Sequence, residues 1–197
     1  MRFSLFGTKI YVSFLFAATV SFMLATDRTG LVIPTLFAVL IHEVGHLFTM
    51  YVSDSAPKEI RLIPASVQII EDYRRPQKSR AVISLSGPLA NVAVGSAIYI
   101  NACFTGSQTA MKFAIINGVV AAFNMLPVSG LDGGRLLLIF LCRKRELYSS
   151  MRILSIVTAV LAAAVFLSGV YLIVSGNANL SVFIVALYLA VCAILKR

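Results

Sequence analysis

The stretch Leu40-Ile41-His42-Glu43-Val44-Gly45-His46-Leu47 lies inside an apolar run from residue 31 to about residue 52. A helix needs about 20 apolar residues to cross a bilayer, so this run is long enough to span one. On a helix, His42 and His46 share one face, and both imidazoles can reach a single metal ion while Glu43 beside them accepts a proton. The alternative, a chance pattern of hydrogen-bonded core histidines, is disfavoured because ionisable residues at membrane depth are costly and usually functional.

The composition is that of an integral membrane protein. Hydrophobic residues make up 59% of the chain and charged residues 13%, whereas soluble domains are about a quarter charged. The mean hydropathy is +0.90. The three cysteines show no C-x-x-C spacing, so no disulfide framework or cysteine metal site is predicted.

Apolar segments predict an all-α polytopic membrane protein with six transmembrane helices. They cover residues 10–25, 31–52, 81–104, 111–126, 151–174 and 180–195. A further apolar helix is expected over 135–142, after a break rich in glycine and proline. Partial alternation over 58–70 predicts a short membrane-associated β element between spans 2 and 3, with Pro64 at its turn or on an edge strand. We expect one membrane domain over 1–197, with a catalytic core at about 31–142.

The basic residues predict the orientation. If the N-terminus is cytoplasmic, loops 26–30, 105–110 and 175–179 face outward. Of 17 Lys and Arg, only Arg28 and Lys112 then lie on that side, which leaves 15 inside. This asymmetry follows the positive-inside rule, so we expect both termini in the cytoplasm. The net charge of +9 is then explained by topology and by contact with anionic lipids, and no nucleic-acid partner is expected.

A third ligand can be predicted from depth and by elimination. A catalytic zinc takes three protein ligands, and two histidines plus a carboxylate are an established set. His42 lies somewhat past the midplane towards the cytoplasm, and Asp132 follows the cytoplasmic end of the fourth span. Apart from Glu43, Asp132 is the only acid that does not lie in a polar loop. Gly133 and Gly134 allow tight turns that aim Asp132 at the bundle.

Two other spans carry polar residues on one face. Gly87, Asn91 and Gly95 recur at intervals of four in the third span, a pattern that allows a neighbouring helix to approach closely. Asn91 is equally compatible with an interhelical hydrogen bond and with a role near the metal. Pro88 predicts a kink or a helix start. In the fourth span, three residues share a face: Asn117, Ala121 and Asn124.

Three motifs together resemble the site-2 protease family of intramembrane zinc metalloproteases. They are His42-Glu43-x-x-His46, Gly87-Pro88-x-x-Asn91 and Asn124-x-x-Pro127-x-x-x-Leu131-Asp132-Gly133-Gly134. The resemblance implies one Zn²⁺ per chain on His42, His46 and Asp132, with Glu43 as the base and with Asn91 and Asn124 near the site. It also implies a strand, falling within 58–70, that holds an extended substrate.

The six-span plan resembles the sporulation sigma-factor-processing branch of that family, without its C-terminal regulatory domain. We therefore expect cleavage of membrane-spanning or membrane-associated proteins near the cytoplasmic side of a bacterial cell membrane. Two rival functions are weighed against this. A prenyl-protein-processing zinc protease takes a glutamate as third ligand, and no glutamate besides Glu43 lies within a span. A metal transporter would use the histidines and Asp132 as a transit site, but no second site marks a pathway.

Overall fold

The computed structural model describes residues 2–5, 8–53, 59–63, 66–70 and 77–175. Its elements in chain order are β1 (Arg2–Leu5), β2 (Thr8–Val12), α1 (Phe14–Thr26), α2 (Val32–Val52), β3 (Glu59–Ile63), β4 (Ser66–Ile70), α3 (Gln77–Thr105), α4 (Gln108–Asn124), α5 (Asp132–Leu141) and α6 (Leu147–Val174). The fold is mostly helical, and it divides into two compact units, Met1–Phe123 and Asn124–Arg197. The single membrane domain over 1–197 stays a prediction.

The first unit contains a four-stranded sheet in the order β1-β2-β3-β4. The strands β1 and β2 pair antiparallel, β2 and β3 parallel, and β3 and β4 antiparallel. In register, Lys9 lies opposite Glu59 and Glu59 opposite Ile70. Thus β3 and β4 occupy the segment 58–70 in which a β element is predicted, while the Pro64 turn lies outside the described residues. Membrane association of this element stays a prediction.

The first helix begins later than the sequence predicts. Residues 10–12, taken as the start of the first span, belong to β2, and α1 starts at Phe14. The reason is that Thr8-Lys9-Ile10-Tyr11-Val12 is rich in β-branched and aromatic residues, which favour strands. At ~1.5 Å per residue, the 13 residues of α1 extend roughly 20 Å, less than the hydrocarbon core.

Within the described residues, three helical segments are long and apolar enough to cross a membrane: Val32–Val52, Gln77–Thr105 and Leu147–Tyr171. The predicted fourth span corresponds to α4, which has 17 residues. The predicted sixth span, 180–195, lies outside the described residues. The count of six spans therefore stays a prediction.

The helix α2 has two distinct faces. One face is buried at intervals of four and consists of Pro34, Ala38, His42, His46 and Met50. Another carries exposed large apolar side chains, Leu40, Val44 and Phe48. Exposed apolar side chains in such a row are expected where a long apolar helix faces lipid. The histidines therefore point into the protein and away from the lipid.

Close packing of α2 on α3 depends on glycine. A Cβ added to Gly45 would lie 2.7 Å from the Ala90 Cβ and 2.7 Å from the Ser86 carbonyl oxygen. No side chain fits between the two backbones here, so the helices approach as glycine-containing membrane helices do.

Pro88 does not start α3 but lies inside it. Its missing N–H leaves the Ser84 carbonyl without the usual helical donor.

In the second unit, α5 begins at Asp132 and not at Arg135 as predicted. The glycines after Asp132 serve close packing instead of a turn, because an added Cβ at Gly133 or Gly134 would clash with backbone carbonyls of the preceding loop. The turn itself uses Gly130, whose φ of 104° is a left-handed value. The loop is tied to α6 because the Ser129 N–H donates to the Thr158 Oγ1 at 2.9 Å.

Candidate metal centre

The two histidines form a buried pair on α2. His42 is 5% exposed and His46 is 6% exposed. One helical turn separates them, which places the rings edge to face with centroids 4.7 Å apart. Their Nε2 atoms are 3.1 Å apart. The spacing in sequence therefore brings the two nitrogens to one point, as the helical pattern predicts.

The other ring nitrogen of each histidine faces an oxygen of α3. His46 Nδ1 lies 2.7 Å from the Ile83 carbonyl oxygen, and His42 Nδ1 lies 2.9 Å from the Asn91 Oδ1. A carbonyl oxygen can only accept, so His46 Nδ1 carries a hydrogen and donates it. The same follows for His42 provided that the Asn91 amide is oriented with its oxygen towards the ring.

Neighbouring acceptors fix that orientation of Asn91. Its Nδ2 donates to the Ala38 carbonyl oxygen at 2.7 Å and to the Asn117 Oδ1 at 2.9 Å. Asn117 is oriented in turn, since its own Nδ2 donates to the Phe113 carbonyl oxygen at 2.8 Å. A flipped Asn91 would place an oxygen against two acceptors. Its Oδ1 therefore faces His42 and accepts the Nδ1–H.

These hydrogen bonds make the pair suitable for a cation. With hydrogen on both Nδ1 atoms, the Nε2 atom of each neutral ring carries the lone pair that can bind a cation, and the two Nε2 atoms lie 3.1 Å apart. Zinc binds imidazole nitrogen at about 2.0–2.1 Å, so two ligands in a tetrahedral site are roughly 3.3 Å apart. The donor set and its spacing fit zinc. Ligand histidines whose second nitrogen donates to a fixed acceptor are also typical of metal sites.

Gly87 of α3 makes room for the pair. A Cβ added there would lie 2.5 Å from His46 Nε2, 2.7 Å from His46 Cε1 and 2.9 Å from His42 Cε1. Gly87, Asn91 and Gly95 are all buried on one face of α3, as their spacing predicts. The same face thus supplies the space beside the imidazoles and the amide that orients one of them.

The sequence analysis did not assign Asn117 a role. This residue is fully buried on α4, and its Oδ1 accepts a hydrogen bond from the Asn91 Nδ2. The sequence showed only that this asparagine shares a helix face with Ala121, which is also buried in the structure. Nothing in that pattern identifies the hydrogen-bond partner, because the partner lies on another helix.

The remaining predicted site residues are placed as follows. Glu43 follows His42 on α2 and is half-buried, and Asn124 is the last residue of α4 and is half-buried. Asp132 opens α5 in the second unit and is 6% exposed. The first turn of a helix stabilises a negative charge, so this position suits an ionised carboxylate.

A capped turn fixes the start of the histidine-bearing helix. The Asp27 carboxylate accepts N–H groups of Val32 at 3.0 Å, and of Thr29 and Gly30 at 2.9 Å. The Thr29 hydroxyl also donates to it at 2.9 Å. These bonds, with the Val32 N–H first, lower the pKa of Asp27 to about 2. The turn holds the chain at the entry to α2, whose first residue is Val32.

Comparison with known proteins shows which proteins this chain resembles. Residues 102–168 match the model of peptidase family M50. A zinc metalloprotease of Methanocaldococcus jannaschii is 26% identical over 137 residues, which is 67% of this chain and 40% of the relative. Stage IV sporulation protein FB of Bacillus subtilis is 27% identical over 134 residues, which is 66% of this chain and 46% of the relative. The resemblance to the site-2 protease family is confirmed.

A solved structure has a similar fold. The site-2 protease from Methanocaldococcus jannaschii superposes with a TM-score of 0.74 at 23% identity, covering 98% of this chain and 93% of that one. The long apolar helices and the family match indicate an integral membrane protein. The chain spans less than half the length of the two curated relatives. The family match includes Asn124 and Asp132 but not the histidine pair.

Proposed function

We propose that this chain is an intramembrane zinc metalloprotease that hydrolyses peptide bonds of membrane-spanning or membrane-associated proteins. The observation that carries the proposal is the buried histidine pair, whose Nε2 atoms converge to 3.1 Å while both Nδ1 atoms donate to acceptors on α3. A curated relative named a zinc metalloprotease supports zinc as the metal.

The proposed ligands of one zinc ion per chain are His42, His46 and Asp132. All three side chains are buried, and two imidazoles with one carboxylate leave a fourth position open, as catalytic zinc requires. An ionised carboxylate also offsets part of the charge of the ion in a low-dielectric setting. The resemblance to the site-2 proteases assigns the same three residues.

Zinc bound there would supply a Lewis acid and lower the pKa of a bound water to near 7. The chain's own residues do the rest. Glu43 takes the proton from the attacking water and delivers it to the leaving amine. It follows His42 on α2 and is half-buried. Asn91 and Ile83 hold the imidazoles, and Asn124 stays a proposed neighbour of the site.

The sheet suggests how a substrate is presented. A helical substrate hides its carbonyls in intrahelical hydrogen bonds, so the scissile segment must be extended. Within 58–70, β3 pairs on both sides whereas β4 (Ser66–Ile70) is the last strand in the order of the sheet. We therefore propose β4 as the strand that pairs with substrate. Its backbone supplies donors and acceptors that any sequence can use.

The side of cleavage follows from the positive-inside orientation. Hydrolysis needs water, so the site must communicate with an aqueous phase through a polar opening. With both termini in the cytoplasm, the nearest phase to His42 is the cytoplasm. We propose cleavage in the cytoplasmic half of a substrate span or just below it, in a bacterial cell membrane.

The test is cleavage of coexpressed single-span and membrane-associated candidate proteins by wild type, Glu43→Gln and Glu146→Gln. Both variants remove one carboxylate charge, but Glu146 is exposed and precedes α6, so only Glu43→Gln should abolish cleavage. Equal cleavage by Glu43→Gln would refute the mechanism. Zinc movement into proteoliposomes by wild type, with no cleavage of any candidate, would favour the transporter alternative.

A further inference from the structure

We infer that Asn117 is a positioning residue that acts through Asn91 to hold His42 in the tautomer that can bind a metal. Asn117 touches neither histidine in any hydrogen bond described above, yet it determines which way the Asn91 amide points. The expected change in zinc affinity rests on the proposed function, whereas the expected change in the His42 tautomer does not.

The Asn91 amide has two possible orientations. In the observed one, the Oδ1 accepts from His42 Nδ1 at 2.9 Å, and the Nδ2 serves Ala38 and Asn117. In the flipped one, the Nδ2 would face His42 Nδ1. That nitrogen would have to accept, and the ring hydrogen would move to Nε2. A protonated Nε2 has no lone pair for a metal.

Two hydrogen-bond acceptors of the Asn91 Nδ2 oppose the flip of its amide: the Ala38 carbonyl oxygen and the Asn117 Oδ1. Only the second belongs to a side chain. The Ala38 carbonyl oxygen belongs to the backbone of α2. The Asn117 Oδ1 can be an acceptor only because its amide is held by the Phe113 carbonyl oxygen one turn earlier. Asn117 is 0% exposed, so water does not replace it as the acceptor. Removing its oxygen leaves the Asn91 amide held by one bond instead of two.

Close approach of α3 and α4 makes this bond possible. A Cβ added to Gly95 would lie 2.9 Å from the Asn117 Cβ and 3.3 Å from the Ala114 carbonyl oxygen. Gly95 lies one turn after Asn91 on the same buried face. A side chain at Gly95 would push α4 away and stretch the Asn91–Asn117 bond. Gly95→Ala is therefore a second way to disturb the same link.

The experiment uses the full chain with ¹⁵N-labelled histidine in detergent or nanodiscs. The chain has two histidines, so four ring-nitrogen signals report both tautomers in the metal-free protein. Asn117→Leu, whose side chain branches at the same carbon but carries no hydrogen-bonding group, should convert His42 from the Nδ1–H form to a mixture with the Nε2–H form. Asn117→Asp should restore the Nδ1–H form, because a buried protonated carboxyl accepts from Asn91 and donates to Phe113. Zinc affinity should fall roughly threefold to tenfold in Asn117→Leu. Mutation of a residue that hydrogen-bonds a metal ligand directly typically lowers metal affinity by about 10-fold to 100-fold, and Asn117 lies one hydrogen bond further away.

Phe113→Leu is the matched control on the same helix. It weakens the ring contact of Phe113 with Phe37, whose centroids are 5.4 Å apart, but keeps the Phe113 carbonyl. It should leave the His42 tautomer unchanged. Should Asn117→Leu fail to fold, Gly95→Ala should give the same tautomer shift.

The outcomes separate the inference from the proposed function. An unchanged His42 tautomer in the folded Asn117→Leu or Gly95→Ala variant overturns the inference, and so does an equal shift in Phe113→Leu. A tautomer shift in Asn117→Leu or Gly95→Ala that is absent from Phe113→Leu supports it, even if the wild type binds no zinc, in which case it is the proposed function that fails.

Discussion

Gly87→Ala should weaken metal binding while leaving the fold in place. The added Cβ would lie 2.5 Å from His46 Nε2, where ordinary contact begins at 3.4 Å, so the ring or α3 must move by roughly 0.9 Å. Zinc sites tolerate distance errors of only about 0.2 Å. Overpacking of this kind costs about 1–3 kcal/mol. If this whole cost falls on the metal-bound position of the ring, the dissociation constant for zinc should rise roughly 5-fold to 140-fold, at about 1.4 kcal/mol per tenfold; any part that falls on the metal-free fold should appear as lower thermal stability.

The assay is competition with a chromophoric zinc chelator on purified protein in detergent, with thermal unfolding measured in parallel. Gly118→Ala is the matched control, because a Cβ there meets nothing within 4 Å. On α4 it should keep zinc affinity and raise stability slightly, as alanine does in helices. Wild-type zinc affinity in a folded Gly87→Ala protein would refute the idea that α3 closes on the histidine pair at this glycine.

Three further predictions follow from the site and its supports. Asp132→Asn should lower zinc occupancy and cleavage together, because the ligand loses its charge; unchanged occupancy, measured by elemental analysis, would mean that another group is the third ligand. The pKa of Asp27 is lowered to about 2, so its turn should stabilise the fold fully above about pH 4 and lose that contribution as pH falls through about 2. Asp27→Ala should abolish this pH dependence in thermal unfolding, and an equal slope in both proteins would contradict the assignment. Mass spectrometry of both cleavage fragments should place cut sites in the cytoplasmic half of the substrate span, whereas cuts clustered in the outer half would contradict the proposed side.

The histidine-bearing helix α2 could be predicted because its signal is local. The apolar run fixes the length of α2, and the interval of four places His42 and His46 on one buried face. The stripe of Gly87, Asn91 and Gly95 on α3 was predictable for the same reason. Such patterns identify the buried face of a helix, because polar residues within a membrane-spanning segment almost always face the protein interior.

The other features depend on partners that are remote in sequence. The strand β2 is a short run that suits a helix or a strand, and one of its two partners, β3, begins at Glu59, some 50 residues later. The start of α5 at Asp132 runs against the low helix propensity of two glycines, and packing on the preceding loop overrides it. Asn117 was missed because the choice of its partner depends on how closely α3 and α4 approach.

X-ray absorption at the zinc edge on the purified chain tests whether the histidine pair binds zinc. We expect one zinc per chain, two imidazole nitrogens at about 2.0–2.1 Å and further light ligands that include a carboxylate oxygen. Asn91→Ala should disturb the imidazole shell, because the acceptor of the His42 Nδ1–H is lost. Absence of bound zinc after reconstitution with the metal, or a shell without two imidazoles, would contradict the account.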